Sequence, residues 1–104
     1  MFKCRIVLDE EKVINEGIYD VNELKENLNS ICISENLYEE ESNFYVQDGT
    51  RSSIGARMLL LSKLEKNNIL QNLKEWKDYD NEESEDDSFY ETDMLDLCRR
   101  EGIL

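Results

Sequence analysis

Residues 2–9 read FKCRIVLD, and their alternation limits the fold more than any other feature of the chain. Phe2, Cys4, Ile6 and Leu8 fall on one face of an extended segment, with Lys3 and Arg5 on the other. That is the period of a half-buried strand, which needs neighbours in a sheet and a cover over its apolar face. DEEK (9–12) reads as a polar turn. KVINEGIY reads as a weaker second strand, in which Val13 and Ile14 break the alternation, so an N-terminal hairpin is expected. NFYVQ (43–47) reads as a third strand. The DG at 48–49 suits a type I′ turn into TRSSI as a fourth strand; the competing reading takes the chain into a helix from Ser52.

Helix signals lie between and after these segments. Asp20-x-x-Glu23 forms a capping box, with Tyr19 and Leu24 placed for a hydrophobic staple. Val21, Leu24, Leu28 and Ile31 then follow as one stripe. SENLYEEESN reads as a polar loop. Residues 54–79 read as one long helix, or as two broken at Asn67-Asn68. On a continuous helix Ile54, Met58, Leu61, Ile69, Trp76 and Tyr79 share an apolar arc, while Lys63, Lys66, Lys74 and Lys77 share another face. Ser88-x-x-Glu91 reads as a second capping box, followed by the stripe Tyr90, Met94, Leu97, Cys98 and a Schellman end at Gly102 and Ile103. The expected fold is α+β, one domain over residues 1–104. A small antiparallel sheet of three or four strands, with an N-terminal hairpin, packs against three or four helices, and the C-terminal half is helical. Cys4, Ile6, Leu8, Leu24, Leu28, Leu61 and Leu97 are the expected core.

Composition narrows the chemistry. The chain has no histidine, so triads, imidazole bases and Cys/His zinc sites are excluded. Cys4, Cys32 and Cys98 are odd in number and far apart, which reads as buried thiols in a reducing compartment. No apolar run reaches membrane-span length, and MFKCRIVLDEE lacks a signal-peptide core, so a cytoplasmic protein is expected.

Net charge is −13, unevenly spread. Residues 51–77 are net basic between two acidic segments, and seven of the ten residues from Asp78 to Asp87 are carboxylates. Asp78-x-Asp80-x-Glu82 resembles the Asp-x-Asp-x-Asp/Asn start of an EF-hand loop, but Glu83 stands where glycine is needed and Phe89 where the bidentate glutamate belongs. No metal or cofactor is therefore expected. With no Ser–Lys pattern or phosphate-binding glycine loop, no catalytic activity is expected either.

The acidic run then reads as a protein-binding surface. Closely spaced carboxylates present charge as a nucleic-acid backbone does, and the neighbouring aromatic residues supply anchors. The candidate partner-binding residues are Asp78, Asp80, Glu82, Glu83, Glu85, Asp86, Asp87, Phe89, Tyr90, Glu91 and Asp93. The competing reading is a solvated loop before a helix N-terminus, with Trp76 and Tyr79 in the core. Asp9-Glu10-Glu11 and Glu39-Glu40-Glu41 would extend the negative surface if the fold brought them to the same side.

EWKDYDNEESEDDSFYETDM resembles the acidic, aromatic-flanked helical end of some small phage anti-CRISPR proteins. The likeness covers about a fifth of the chain and is mainly one of composition. What it implies is inhibition of an RNA-guided nuclease by occupying its DNA-binding surface. The expected role is thus an inhibitor of a nucleic-acid-handling protein, of the DNA-mimic kind or an immunity protein to a nuclease toxin. Its partner would be a basic protein, with no direct binding of nucleic acid or membrane, and the chain would be a monomer or homodimer. The alternative is a structural or regulatory subunit that associates through an apolar helix face, its acidity serving solubility.

Overall fold

The computed structural model describes residues 1–47, 53–81, 86 and 88–104, excluding the side chains of residues 53 and 54. The order is β1 (Phe2–Leu8), α1 (Glu10–Glu16), α2 (Val21–Ser34), β2 (Leu37–Glu41), β3 (Phe44–Gln47), α3 (Ser53–Lys66), a 3-10 turn (Leu70–Asn72), β4 (Leu73–Asp80), β5 (Tyr90–Asp93) and α4 (Met94–Arg100). The five strands form one antiparallel sheet in the order β2-β3-β1-β4-β5. The architecture is α+β, with strands interleaved among four helices, so the C-terminal half is not simply helical.

β1 is the central strand and behaves as its alternation dictates. Phe2, Cys4, Ile6 and Leu8 are buried, and Lys3, Arg5 and Val7 are half-buried. All the buried apolar helix residues join Phe2, Cys4, Ile6 and Leu8 in one cluster, so the described helices cover a single face of the sheet. Of the expected core, Cys4, Ile6, Leu8, Leu24 and Leu28 are buried, while Leu61 and Leu97 pack half-buried against it. Asp20 caps α2 by accepting from the Glu23 N–H at 3.0 Å, as expected. The three cysteines are buried and unbridged. Among the described residues no helix is long and apolar enough to cross a membrane.

Four sequence expectations are corrected. There is no N-terminal hairpin, because residues 10–16 are α1. Asp9 accepts from the Lys12 N–H at 3.1 Å, Glu10 and Glu11 sit in the first turn, and Gly17 closes the helix at φ 67°. SENLYEEESN is not a loop. Asn36 (φ 61°) and Asn43 (φ 65°) take left-handed turn positions around β2, which pairs with β3. Residues 54–79 are not one helix: α3 ends at Lys66, Asn68 turns left-handed at φ 61°, and residues 73–80 are β4. Ser88 does not cap a helix. Residues 90–93 pair with β4, and Asp93 caps α4 by accepting from the Asp96 N–H at 3.1 Å. The expected DG turn and most of TRSSI lie outside the described residues, and its last two positions open α3.

The Schellman end does form. Ile103 N–H donates to Cys98 O at 2.8 Å, and Gly102 N–H to Arg99 O at 3.3 Å with φ 74°. Asn72 ties the break after α3 to the start of β4. Its Nδ2 donates to Asn68 O at 2.7 Å, its Oδ1 accepts from Lys12 Nζ at 2.9 Å, and its carbonyl accepts from the Asp9 N–H at 2.8 Å.

Candidate binding surface at the acidic edge

β4 explains why the only tryptophan stands beside carboxylates. Register pairs Ile6 with Trp76, Cys4 with Asp78 and Phe2 with Asp80, which places Trp76, Asp78 and Asp80 on the helix-covered face. Trp76 is fully buried, and its Nε1–H donates to Asp78 Oδ1 at 2.7 Å. Arg57 of α3 donates from Nε to Asp78 Oδ2 at 2.9 Å and from Nη2 to Asp80 Oδ2 at 3.4 Å. A buried indole N–H needs an acceptor, and a buried carboxylate needs a counter-charge. This network supplies both and fastens α3 to the sheet.

Burial pushes the Asp78 carboxyl up to about 6, against the opposing pull of the Arg57 guanidinium and the Trp76 N–H. Burial likewise raises the thiols, Cys4 well up and Cys32 to about 12, so both are neutral near pH 7. Asp78 is therefore a wholly buried structural carboxylate that no partner can touch, and Asp80 is half-buried in the same network. Both are candidate partner-binding residues in the sequence, but the fold buries Asp78 and half-buries Asp80.

Glu82, Glu83, Glu85 and Asp87 lie outside the described residues. Asp86 is exposed, and its Oδ1 accepts from the Ser88 N–H at 3.2 Å. Further along the chain, Phe89 is 41% exposed and Tyr90 57% exposed. β5 is an outer strand of the sheet. Pairing of Asp80 with Tyr90 puts the tyrosine on the helix side, and pairing of Tyr79 with Glu91 puts the glutamate on the opposite face. Glu91 accepts from Tyr79 Oη at 3.1 Å. Asp93 is exposed but already serves as the α4 cap. Phe89, Tyr90, Glu91 and Asp93 thus converge on one sheet edge, joined to the acidic run. In the stretch likened to a helical inhibitor end, residues 75–80 and 90–93 are strand.

The other acidic clusters do not join this surface. Glu39, Glu40 and Glu41 are exposed on β2, at the far edge of the sheet, four strand spacings or roughly 19 Å from β5. Asp9, Glu10 and Glu11 begin α1. Nor does a four-lysine helix face exist. Lys63 and Lys66 are on α3, whereas Lys74 and Lys77 are on β4, and Lys63 is ion-paired with the buried Glu35.

Two features escaped the sequence reading. A groove of about 360 Å³ lies between α2 and the β2–β3 hairpin, lined by Glu10, Lys25, Asn29, Glu39, Asn43 and Tyr45 among others. Lys25 and Glu10 pair across its wall at 3.2 Å. The second is the sheet face opposite the helices, where Lys3 Nζ stands 4.8 Å from the Phe89 ring centre and the Arg5 guanidinium 5.8 Å from that of Phe44. The alternating charges of FKCRIVLD already place Lys3 and Arg5 there, but their aromatic neighbours come from β3 and the β5 edge. Among the described residues no group of three or more Cys, Asp or Glu side chains converges as a metal site. Comparison with family models, curated proteins and solved structures returns no match.

Proposed function

We propose that the protein is a non-catalytic binding module. Its β5 edge and the acidic run before it occupy a basic surface of a nucleic-acid-handling protein, most simply a nuclease. The observation that carries this reading is Tyr90, 57% exposed beside Phe89 on an outer strand that follows directly on the acidic run. Large aromatic side chains left in water at a sheet edge suit binding anchors, and carboxylates around them raise the encounter rate with a cationic partner. The contact set is Glu82, Glu83, Glu85, Asp86, Asp87, Phe89, Tyr90, Glu91 and Asp93. Asp78 and Asp80 are left out because they hold Arg57.

The test is co-purification from the native host at low and high salt, followed by identification of what is retained. A nucleic-acid-binding protein that is released by competing DNA, and lost with Tyr90→Ala, supports the reading. A retained partner indifferent to DNA and to neutralising the acidic run removes it.

A second reading is favoured by α3, where Met58 is 59% exposed and Leu59 41% exposed on the outer side. These residues suit a subunit that associates through an apolar helix face, and Met58→Asp would abolish that association.

A further inference from the structure

The sheet face away from the helices carries a balance of charge unlike the rest of the chain. On β1, β4 and β5 the register gathers Lys3, Arg5 and Lys77 with Glu75, Glu91 and Asp93, three cations and three carboxylates. The chain as a whole has 12 basic and 25 acidic residues. Lys77 approaches Glu75 at 3.7 Å, but among the described residues neither Lys3 nor Arg5 has a carboxylate partner. Both are half-buried cations leaning on aromatic rings. Between them the Phe44 and Tyr79 rings meet across β1, with centres 6.1 Å apart.

We propose that this face binds a second copy of the chain, sheet against sheet, about a two-fold axis parallel to the strands and passing over β4. Such an axis lays β5 of each copy on β1 of the other. Lys3, Tyr79 and Glu91 lie at one level across the sheet, and Arg5, Lys77 and Asp93 at the next. The rotation therefore sets Glu91 of the second copy over Lys3, and Asp93 of the second copy over Arg5. Lys3 and Arg5 each gain a carboxylate, and the Tyr79 ring loses water. The fit is self-complementary, as an isologous contact requires. Cations and carboxylates are equal in number on these three strands, so two copies of a −13 chain meet there without net like charge, although Lys77 and Glu75, on the axis strand, each face their own counterpart. A nucleic-acid strand fits less well, since it would meet Glu75, Glu91 and Asp93 on the same face.

Size sets the strength. With the axis over β4 only β1, β4 and β5 of the two copies overlap; they span roughly 10 Å, and a seven-residue strand runs roughly 24 Å, so two faces cover about 500 Å² in projection. That is well below the standard range for stable complexes, so the dimer is a weak one. It covers Phe89, Glu91 and Asp93, for which the proposed partner would compete, and leaves Tyr90, on the helix side of β5, free.

Sedimentation equilibrium of the whole chain from about 10 µM to about 1 mM, near physiological ionic strength, tests this without any partner and so stands or falls apart from the binding function. Wild type should pass from monomer to dimer. Lys3→Glu and Glu91→Lys should each weaken dimerisation at least about tenfold, and an equimolar mixture should recover it, because the reversed charges meet across the axis. Circular dichroism checks that both variants fold, and Lys3→Gln replaces Lys3→Glu should the latter not fold. A strictly monomeric protein at about 1 mM overturns the proposal. So does a dimer insensitive to Lys3→Glu but broken by Met58→Asp, which moves the contact to α3. Saturable binding of a single-stranded oligonucleotide that is lost with Lys3→Gln assigns the face to another occupant and equally overturns it.

Discussion

Replacing Asp78 with asparagine removes one ionisable proton from the centre of the β4–α3 junction. The Asp78 carboxyl is raised from 3.8 to about 6, burial being the dominant cause. Between those values the folded chain holds a proton that the unfolded chain releases, so stability falls as pH rises. The contribution is fully present below 3.8 and is lost as pH passes through about 6. At about 1.4 kcal/mol per pH unit, the whole span is worth roughly 3 kcal/mol. Between pH 5 and pH 7.5 it amounts to about 1.5 kcal/mol. Relief of general charge repulsion at low pH has the same sign, but it acts on both proteins. Urea unfolding, followed by the fluorescence of the buried Trp76, should therefore show wild type losing about 1.5 kcal/mol more than Asp78→Asn between these two pH values. Parallel pH profiles would refute the reasoning. A wild type that gains relative to the variant would show that Arg57 and Trp76 outweigh burial and hold the carboxyl below 3.8.

Other outcomes follow from packing and capping. Leu28→Ala, in the middle of the buried α2 stripe, should cost about 2–5 kcal/mol in chemical denaturation, and a loss below about 1 kcal/mol would displace α2 from the core. Asp93→Ala should cost about 0.5–2 kcal/mol by removing the acceptor at the start of α4, whereas Ser88→Ala should cost much less. Calcium should raise the melting temperature no more than sodium does at equal ionic strength, and a saturable, stoichiometric rise would restore the EF-hand reading of residues 78–89.

Much of the fold was legible where one signal stood without a rival. The FKCRIVL alternation and the Asp20 capping box each placed an element and its buried face. Residues 58–61, Met-Leu-Leu-Leu, fit a helical stripe in any phase, so the arc drawn through Met58 missed the true stripe of Ala56, Leu60 and Leu64. β4 was hidden because Asp78 occupies an inward position, which breaks the apolar period of a strand. Only the approach of Arg57, 21 residues earlier in the chain, makes that position tolerable. α1 is bracketed by Asp9 and Gly17, and the break in alternation at Val13 and Ile14, which only weakens the strand reading of KVINEGIY, is the mark of its helix. At the candidate surface, composition pointed to the aromatic-flanked run. Pairing across the sheet was needed to separate Asp78 and Asp80, which hold the fold together, from Phe89, Tyr90 and Glu91, which face solvent.

The central claim is that the acidic run and the β5 edge engage a cationic protein surface. The most direct measurement is the association rate with the co-purified partner, by surface capture, for wild type and for a variant with Glu82, Glu83, Glu85 and Asp86 changed to their amides. Asp80 stays intact because it pairs with Arg57. The account predicts a folded variant whose association is slowed at least about tenfold, with a shallower dependence on salt, while Tyr90→Ala chiefly speeds dissociation. An unchanged association rate and an unchanged salt dependence would contradict it, and would leave the carboxylates of residues 82–86 with no part in recognition.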